Sequence, residues 1–410
     1  MLSYQAARAK VIEVICARHC APPPPTETIE FADEPARVLG RIVAEEVRAD
    51  RNYPPFNRST RDGFALRAAD AAQAGAKLRL IGESRAGVPF EGVVEPGTCV
   101  QIMTGAPLPR GANSIVMNEY ARIEGEYVVM LEAAREGAHF VLEGQETRIG
   151  ESVIARGTRL SYAELAIAGQ VGRSQLVVAK KPRVAILSTG DELVDVDQSP
   201  KRYQIRNSNN VSLAAQVSLS GGEPMMLGIA PDNLAELRAQ IELALDADIV
   251  ALTGGVSVGK YDLVEQVLRE MGAEFFFDSV AIRPGKPAVF GFCGDKPVFG
   301  LPGNPVSTMV TCELFVVPAI ELLSGHKPHP LKLLKAKLAH PLNEKPPLAH
   351  FLPARVSWPE GEPVVEAIHW EGSGDIGSVV KGNCFLVVHA EKQVYSAGEM
   401  ADVLPRRGLF

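Results

Sequence analysis

Between residues 181 and 327 the chain alternates short apolar runs with amphipathic ones, and this rhythm constrains the fold more than any other feature. The runs at 183–187, 248–252, 288–292 and 297–300 have the length of buried strands. Helical patterns are predicted at 209–220, 233–246, 263–271 and 306–323, the first ended by Gly221-Gly222 and the third by Gly272. Strands alternating with helices predict a parallel, doubly wound α/β sheet, which binds ligands beyond the carboxyl ends of its strands.

Four loops are predicted at that edge. They are Ser188-Thr189-Gly190-Asp191-Glu192-Leu193, Thr253-Gly254-Gly255-Val256-Ser257-Val258-Gly259-Lys260-Tyr261-Asp262, Arg283-Pro284-Gly285-Lys286-Pro287, and Leu301-Pro302-Gly303-Asn304-Pro305-Val306-Ser307. Glycine lets backbone approach a ligand closely, while hydroxyls and free N–H groups supply donors to phosphate oxygens. Gly303-Asn304 precedes a helix and offers its dipole-positive end. One such loop is an ordinary turn; four on one sheet predict a site for a phosphorylated ligand. Asp191 and Glu192 read as a turn or as ligands, Asp262 as a cap for the next helix or as a ligand, and Asp232 as a cap or a metal ligand. Carboxylates beside phosphate loops suit magnesium, a hard cation that takes oxygen ligands. Arg283 and Lys286 would add fixed positive charge.

The rest of the chain is organised differently. Residues 1–50 and 141–180 read as an extended α/β linker domain, with helices at 3–20, around 35–46 and at 161–169. Between them, residues 51–140 are punctuated by Gly82, Gly87, Gly92, Gly97, Gly105 and Gly111, which predicts an inserted β-rich domain. Its run from Pro54 to Ala65 holds Asp62 in an Asp-Gly turn, and Thr104 follows a strand; both are candidates to close the cleft. Residues 328–410 carry short alternating runs and predict a small β-barrel. The four-part division is therefore 1–50 with 141–180, 51–140, 181–327 and 328–410.

A net charge of −7 offers no global field for nucleic acid. The six cysteines form no CxxC or Cys/His metal spacing, the N-terminus has no secretory pattern, and no run is read as the ~18 apolar residues of a membrane span. A cytoplasmic protein with no membrane and no nucleic-acid partner is expected.

Taken together, the strings PPFNRSTRDGFA, MTGAP, STGDEL, TGGVSVGKYD, AIRPGKP and LPGNPVS, in this order, resemble the molybdopterin molybdenumtransferase (MoeA) family, which includes the gephyrin E-domain. The resemblance covers essentially the whole chain. It implies a homodimer that takes adenylylated molybdopterin and molybdate as substrates and cleaves the pterin–AMP phosphoanhydride with Mg2+, leaving molybdenum on the dithiolene. Further partners it implies are the molybdopterin adenylyltransferase and the molybdoenzymes that accept the cofactor.

Carried over by position, Asp62, Thr104, Glu192, Asp232 and Asp262 match the family's functional residues, with Asp62, Glu192 and Asp262 as metal ligands. Arg283, Lys286, Ser307 and Ser373 match anion-binding positions. The Asp62 and Thr104 segment is implied to face the α/β domain of the partner subunit. Three places depart from the family pattern: Leu348 stands three before Phe351 where arginine is usual, Thr147 to Ser152 replaces a double-arginine Gly-Glu-Asp run, and Asp375-Ile376-Gly377-Ser378 follows Gly374. The resemblance also leaves two other readings, an adenylyltransferase that makes the substrate and a non-catalytic molybdopterin-binding scaffold. The TGGVSVG string argues against the first, because adenylyltransferases typically read TGGTG there.

Overall fold

The structure is a computed structural model that describes residues 1–20, 23–254, 263–344, 347–392 and 394–409. The chain divides into two compact units: residues 1–29, 40–44 and 177–410 form one, and residues 30–39 and 45–176 the other. It opens with helix α1 (Tyr4–His19), whose N-cap Ser3 accepts a hydrogen bond from the Ala6 N–H.

The second unit is built on a six-stranded sheet. Its strands are β1 (Gly63–Leu66), β2 (Lys77–Ser84), β3 (Thr98–Ile102), β4 (Ser114–Met117), β5 (Ala121–Glu124) and β6 (Tyr127–Met130), ordered β4-β1-β3-β2-β6-β5. Only the β2–β3 pair is parallel. Gly63 is required where it stands, since a Cβ there would lie 2.1 Å from the Val116 carbonyl oxygen. Helix α2 (Tyr162–Gln170) starts in a capping box between Ser161 and Glu164. The helix expected around 35–46 does not form; a single 3-10 turn at Pro35–Arg37 takes its place. Gly40 at φ 77° breaks the pattern, and β-branched residues follow it.

In the first unit, strands β7 (Arg183–Thr189), β8 (Glu223–Ala230), β9 (Ile249–Thr253), β10 (Glu274–Phe277), β11 (Val289–Cys293) and β12 (Lys296–Leu301) form a sheet ordered β8-β7-β9-β12-β11-β10. Alternate residues of β7 feed two cores, as strand geometry demands. Val184 and Ile186 pack with Leu213 and Val217 of α3 (Ser208–Leu219). Ala185 and Leu187 pack with Leu237 and Ile241 of α4 (Leu234–Ala244) and Val267 of α5 (Leu263–Glu270). The sheet is thus wound on both faces, each buried Leu or Ile contributing about 1.5–3 kcal/mol.

The expected all-parallel order holds only for β8, β7, β9 and β12. Strand β11 runs antiparallel to β12, and β10 antiparallel to β11. Cys293 pairs with Lys296 across a two-residue turn, far short of the dozen residues a parallel crossover needs.

Helix α6 (Pro305–Leu323) corrects the expectation about apolar runs: at 19 residues and mean hydropathy 1.7 it is long and apolar enough to cross a membrane. It is 83% buried, as the core helix on one face of the sheet. A π-helical turn at Cys312–Val316 precedes Pro318, which has no N–H to give. The Leu314 carbonyl accepts from the Arg8 guanidinium of α1 instead.

Strands β13 (Leu334–Leu338), β14 (Ala349–Ser357), β15 (Val364–Ala367), β16 (Cys384–Val388) and β17 (Met400–Pro405) close on themselves in the ring β14-β15-β13-β17-β16. This is the expected small barrel, with five strands and a core that includes Leu352, Val365, Leu386 and Val403. Residues Ile282 and Arg283 pair in parallel with the start of β14, which ties the third loop to the barrel.

Candidate functional site

Three of the four loops meet over the carboxyl ends of β7, β9 and β12, around a cavity of about 390 Å3. Its lining includes Thr189 and Glu192 from the first loop, Gly254 from the second, and Pro302, Gly303, Asn304 and Pro305 from the fourth. Close backbone approach explains the second-loop glycine. Gly254 sits at φ +86°, and a Cβ there would lie 2.3 Å from the Thr189 carbonyl oxygen. Pro287, at the end of the third loop, also lines the cavity. That loop leads into β11 instead of following a strand, yet it reaches the same edge because β11 is antiparallel to β12.

Sequence reasoning missed the far wall, formed by Arg206, Asn207, Ser208 and Asn209 at the start of α3. Three asparagines in four residues at a helix start look like capping, and Asn207 does cap: its Oδ1 accepts from the Asn210 N–H. The missed signal was that Asn209 and Asn210 also fall on the buried side. Asn210 accepts from Ser188 Oγ at 2.6 Å and donates to the Gly228 carbonyl. Ser188 is therefore fully buried behind the cavity, holding α3 to the end of β7. Asn209 donates to Thr253 Oγ1 at 3.0 Å and to the Gly303 carbonyl at 2.8 Å. Two side-chain atoms of this floor, Thr189 Oγ1 and Asn209 Oδ1, are buried without a hydrogen-bond partner among the described residues. Such orphans cost about 1–3 kcal/mol each.

The acids gather at one rim. Gly190 stands at φ +138° with the Glu192 carboxylate folded back against it. The Asp232 N–H donates to Asp191 Oδ1 at 3.3 Å. Burial pushes the Asp232 carboxyl up, and the charges of Asp191 and Glu192 push it further. Asp232 is not the cap of α4, a role taken by Asn233, whose Oδ1 accepts from the Ala235 and Glu236 N–H groups. Among the described residues no three His, Cys, Asp or Glu side chains form a ready metal cluster. Asp191 and Glu192, whose charges help raise the Asp232 carboxyl, nonetheless suit magnesium, which is usually held by one or two carboxylates, water and substrate phosphates.

The cations Arg283 and Lys286 are exposed, and neither has an ion pair with a described residue. Ser307 is buried in the first turn of α6. Ser373 meets the fourth loop directly: its Oγ accepts from Asn304 Nδ2 at 2.8 Å, and its carbonyl accepts from the Val306 N–H at 3.0 Å. One of the free donors expected at that helix end is thereby taken, so the dipole there is less open to an anion than the sequence suggested. The altered string after Gly374 makes a cap, with Asp375 accepting from the Ser378 N–H at the start of α7 (Ile376–Lys381). Arg355 is committed to the Lys381 carbonyl. The candidates Gly255, Ser257 and Asp262 lie outside the described residues.

In the β-rich unit the structure brings Asp62 and Thr104 together. Asp62 Oδ1 accepts from the Thr104 N–H at 2.6 Å and from its Oγ1 at 2.9 Å. These two bonds, the backbone one foremost, hold the exposed carboxyl below the usual range.

Three family descriptions match the chain in order: the MoeA N-terminal region (domain I and II) over residues 2–172, a probable molybdopterin binding domain over 185–322, and the MoeA C-terminal region (domain IV) over 335–405. The molybdopterin molybdenumtransferase of Haemophilus influenzae is 32% identical over 412 aligned residues, covering 99% of this chain and 98% of that one. Its counterpart in Nostoc sp. is 39% identical over 294 residues, covering 70% of this chain and 67% of that one. Among solved structures, the molybdopterin biosynthesis MoeA protein of Pyrococcus horikoshii superposes with a TM-score of 0.76 at 30% identity, over 97% of this chain and 98% of that one. Three strand-end loops, a closed five-stranded barrel and matches running from residue 2 to residue 405 converge on one answer: the chain belongs to the MoeA family of molybdopterin molybdenumtransferases.

Proposed function

We propose that the chain transfers molybdenum from molybdate to adenylylated molybdopterin, releasing AMP in a Mg2+-dependent step, and that it works as a homodimer in the cytoplasm. The observation that carries this reading is the cavity over β7, β9 and β12, lined by Thr189, Glu192, Gly254, Gly303 and Asn304 from the strand-end loops. The pterin and its diphosphate occupy that cavity. Arg283 and Lys286, exposed and without ion pairs among the described residues, hold the entering oxyanion.

Glu192 and Asp262 would hold magnesium as the resemblance implies, with Asp232, which feels the charges of Asp191 and Glu192, in the place that resemblance gives to Asp62; the ion's contribution when bound is to neutralise the diphosphate. The protein's own share is positioning and charge placement, more than a single general base. Asp62 keeps its charge through Thr104 and acts on the partner subunit's substrate. Ser373 acts by fixing the fourth loop through Asn304, and Ser307, in the first turn of α6, belongs to the anion-binding set.

The deciding experiment is AMP release from adenylylated molybdopterin by the purified protein, with and without molybdate and with and without Mg2+. Release that requires both is expected. Release indifferent to molybdate, or AMP transfer from ATP onto molybdopterin, would overturn the reading.

A further inference from the structure

A second cavity, of about 300 Å3, is bounded by α3, α6, α7 and the barrel strands β16 and β17. No described residue that lines it also lines the cavity over the strand ends. Its walls are apolar, with Met309 of α6 and Phe385 and Leu404 of the barrel among them. Leu219 of α3, Val380 of α7 and Leu409 also line it, and they stand 53%, 71% and 53% exposed. Apolar side chains left open to water around a concave space mark a surface that something covers.

Two guanidinium groups line this cavity, and they differ. Arg407 is satisfied: its Nε donates to Glu313 Oε1 at 2.8 Å and its Nη2 to Glu321 Oε1 at 3.0 Å. Arg406 is half-buried and has no ion pair among the described residues. The hydrogen bond of its side chain runs from Nη1 to the Val379 carbonyl at 2.7 Å, and Val379 is itself part of the cavity wall. Burial pushes the Arg406 pKa down, and the Cys384 thiol, not a carboxylate, opposes that push. A cation taken partly out of water without a counter-charge is costly, and an anion beside it offsets the cost.

An apolar chamber with one unpaired guanidinium at its wall selects a ligand by chemistry. A nucleotide or a diphosphate is polar over most of its surface and would leave the apolar walls uncovered. A small apolar body with a single carboxylate head matches both the walls and the charge. We propose that this cavity is a second ligand site, taking a small apolar carboxylate whose head pairs with Arg406 and whose body fills the space between α3, α6 and the barrel. It stands apart from the function proposed above and holds whether or not AMP is released.

Full-length protein is titrated with 2-naphthoate and with 2-naphthamide, its neutral isostere, and binding is read by ligand fluorescence and calorimetry. The carboxylate is expected to bind about tenfold more tightly, the gap between a charge-assisted and a neutral hydrogen bond. Arg406→Met keeps an apolar stem and removes the charge. It should bring the carboxylate to within about twofold of the amide and leave the amide as in the wild type, whereas a merely structural role would weaken both alike. Ala215→Phe, at an exposed position of α3 that lines the cavity, should fill the space and abolish binding of both ligands. Saturating AMP and pyrophosphate should leave the naphthoate titration unmoved. Should Arg406→Met fail to fold, the wild-type ligand pair and Ala215→Phe still decide. No binding at millimolar ligand, equal affinity within the pair, a preference that survives Arg406→Met, or displacement by AMP overturns the proposal. So does a change of oligomeric state in Ala215→Phe by sedimentation, which would assign the face to a second copy of the chain.

Discussion

At the carboxyl ends of β7 and β9, Thr189 Oγ1 and Asn209 Oδ1 are buried and lack partners among the described residues. At the Asp62 turn of the β-rich unit, an exposed carboxylate takes two hydrogen bonds from one threonine. The first region leaves these two polar atoms without a described protein partner beneath a cavity, at a cost of about 1–3 kcal/mol each. The second satisfies a charge that water would have satisfied anyway, so its two bonds fix a position and a protonation state. The first region is built around a cavity that a ligand can fill; the second holds a charged group ready for a later event. Binding and chemistry should therefore separate between the two regions when each is disturbed.

The largest effect expected is on chemistry. Asp62→Ala should slow molybdate-dependent AMP release by about 10²-fold or more, the usual scale for removing one electrostatic group from a reaction centre. Pterin affinity, measured by fluorescence, should stay within about twofold, because an interaction made only in the transition state does not help ground-state binding. Full turnover in this variant would break the comparison at once.

Gly254→Ala should damage the pocket floor instead. The new methyl meets the Thr189 carbonyl at a residue already at φ +86°, and the strain costs about 1–3 kcal/mol. Weakened pterin binding and a lowered denaturation midpoint are expected together. Unchanged binding would mean that the approach of Gly254 to β7 does not shape the site.

The contrast also shows what the sequence could tell. Alternation in β7 was readable because one side of each residue pair feeds each core, Val184 and Ile186 against Ala185 and Leu187. The β11–β12 hairpin reads in sequence as part of a parallel sheet, although the two-residue turn between Cys293 and Lys296 cannot hold a crossover. Strand β8 is not legible at all: Pro224, Met225, Met226 and Gly228 are poor strand formers, and they sit in an edge strand held by pairing on one side. Strand β14 was hidden by Pro353, opposite Phe385 in the barrel register. In the site, the glycine loops announced themselves through composition. Asn209 did not, because an asparagine at a helix start is ordinary until strands and a fourth loop close around it.

A smaller effect is expected at the cations. Lys286→Ala should raise the molybdate concentration needed for half-maximal AMP release about tenfold, the loss of one charge-assisted hydrogen bond. The difference should narrow as salt rises, since Lys286 is exposed and its field is screened. A tenfold loss of pterin affinity instead would place the cation on the ring side of the pocket and blur the division between ring and anion.

The smallest effect is a titration. Hydrogen bonds from the Thr104 N–H and then its hydroxyl hold the Asp62 carboxyl below the ordinary aspartate value. Burial, then Asp191 and Glu192, hold the Asp232 carboxyl above it. The two act on stability with opposite sign. What Asp62 contributes is present above its unfolded pKa and lost as pH falls through its lower folded one. What Asp232 contributes is present in acid and lost as pH rises through its higher folded pKa. Carboxyl-carbon NMR should therefore resolve two midpoints on either side of the ordinary value. Thr104→Val keeps the backbone donor and removes the hydroxyl, so it should move the Asp62 midpoint part of the way up and leave that of Asp232 alone. Added Mg2+ should lower the Asp232 midpoint, because a cation relieves the repulsion among the rim acids. If Mg2+ shifts Asp62 and not Asp232 in the free protein, the metal belongs with the pre-satisfied charge, and the roles assigned to the two regions exchange.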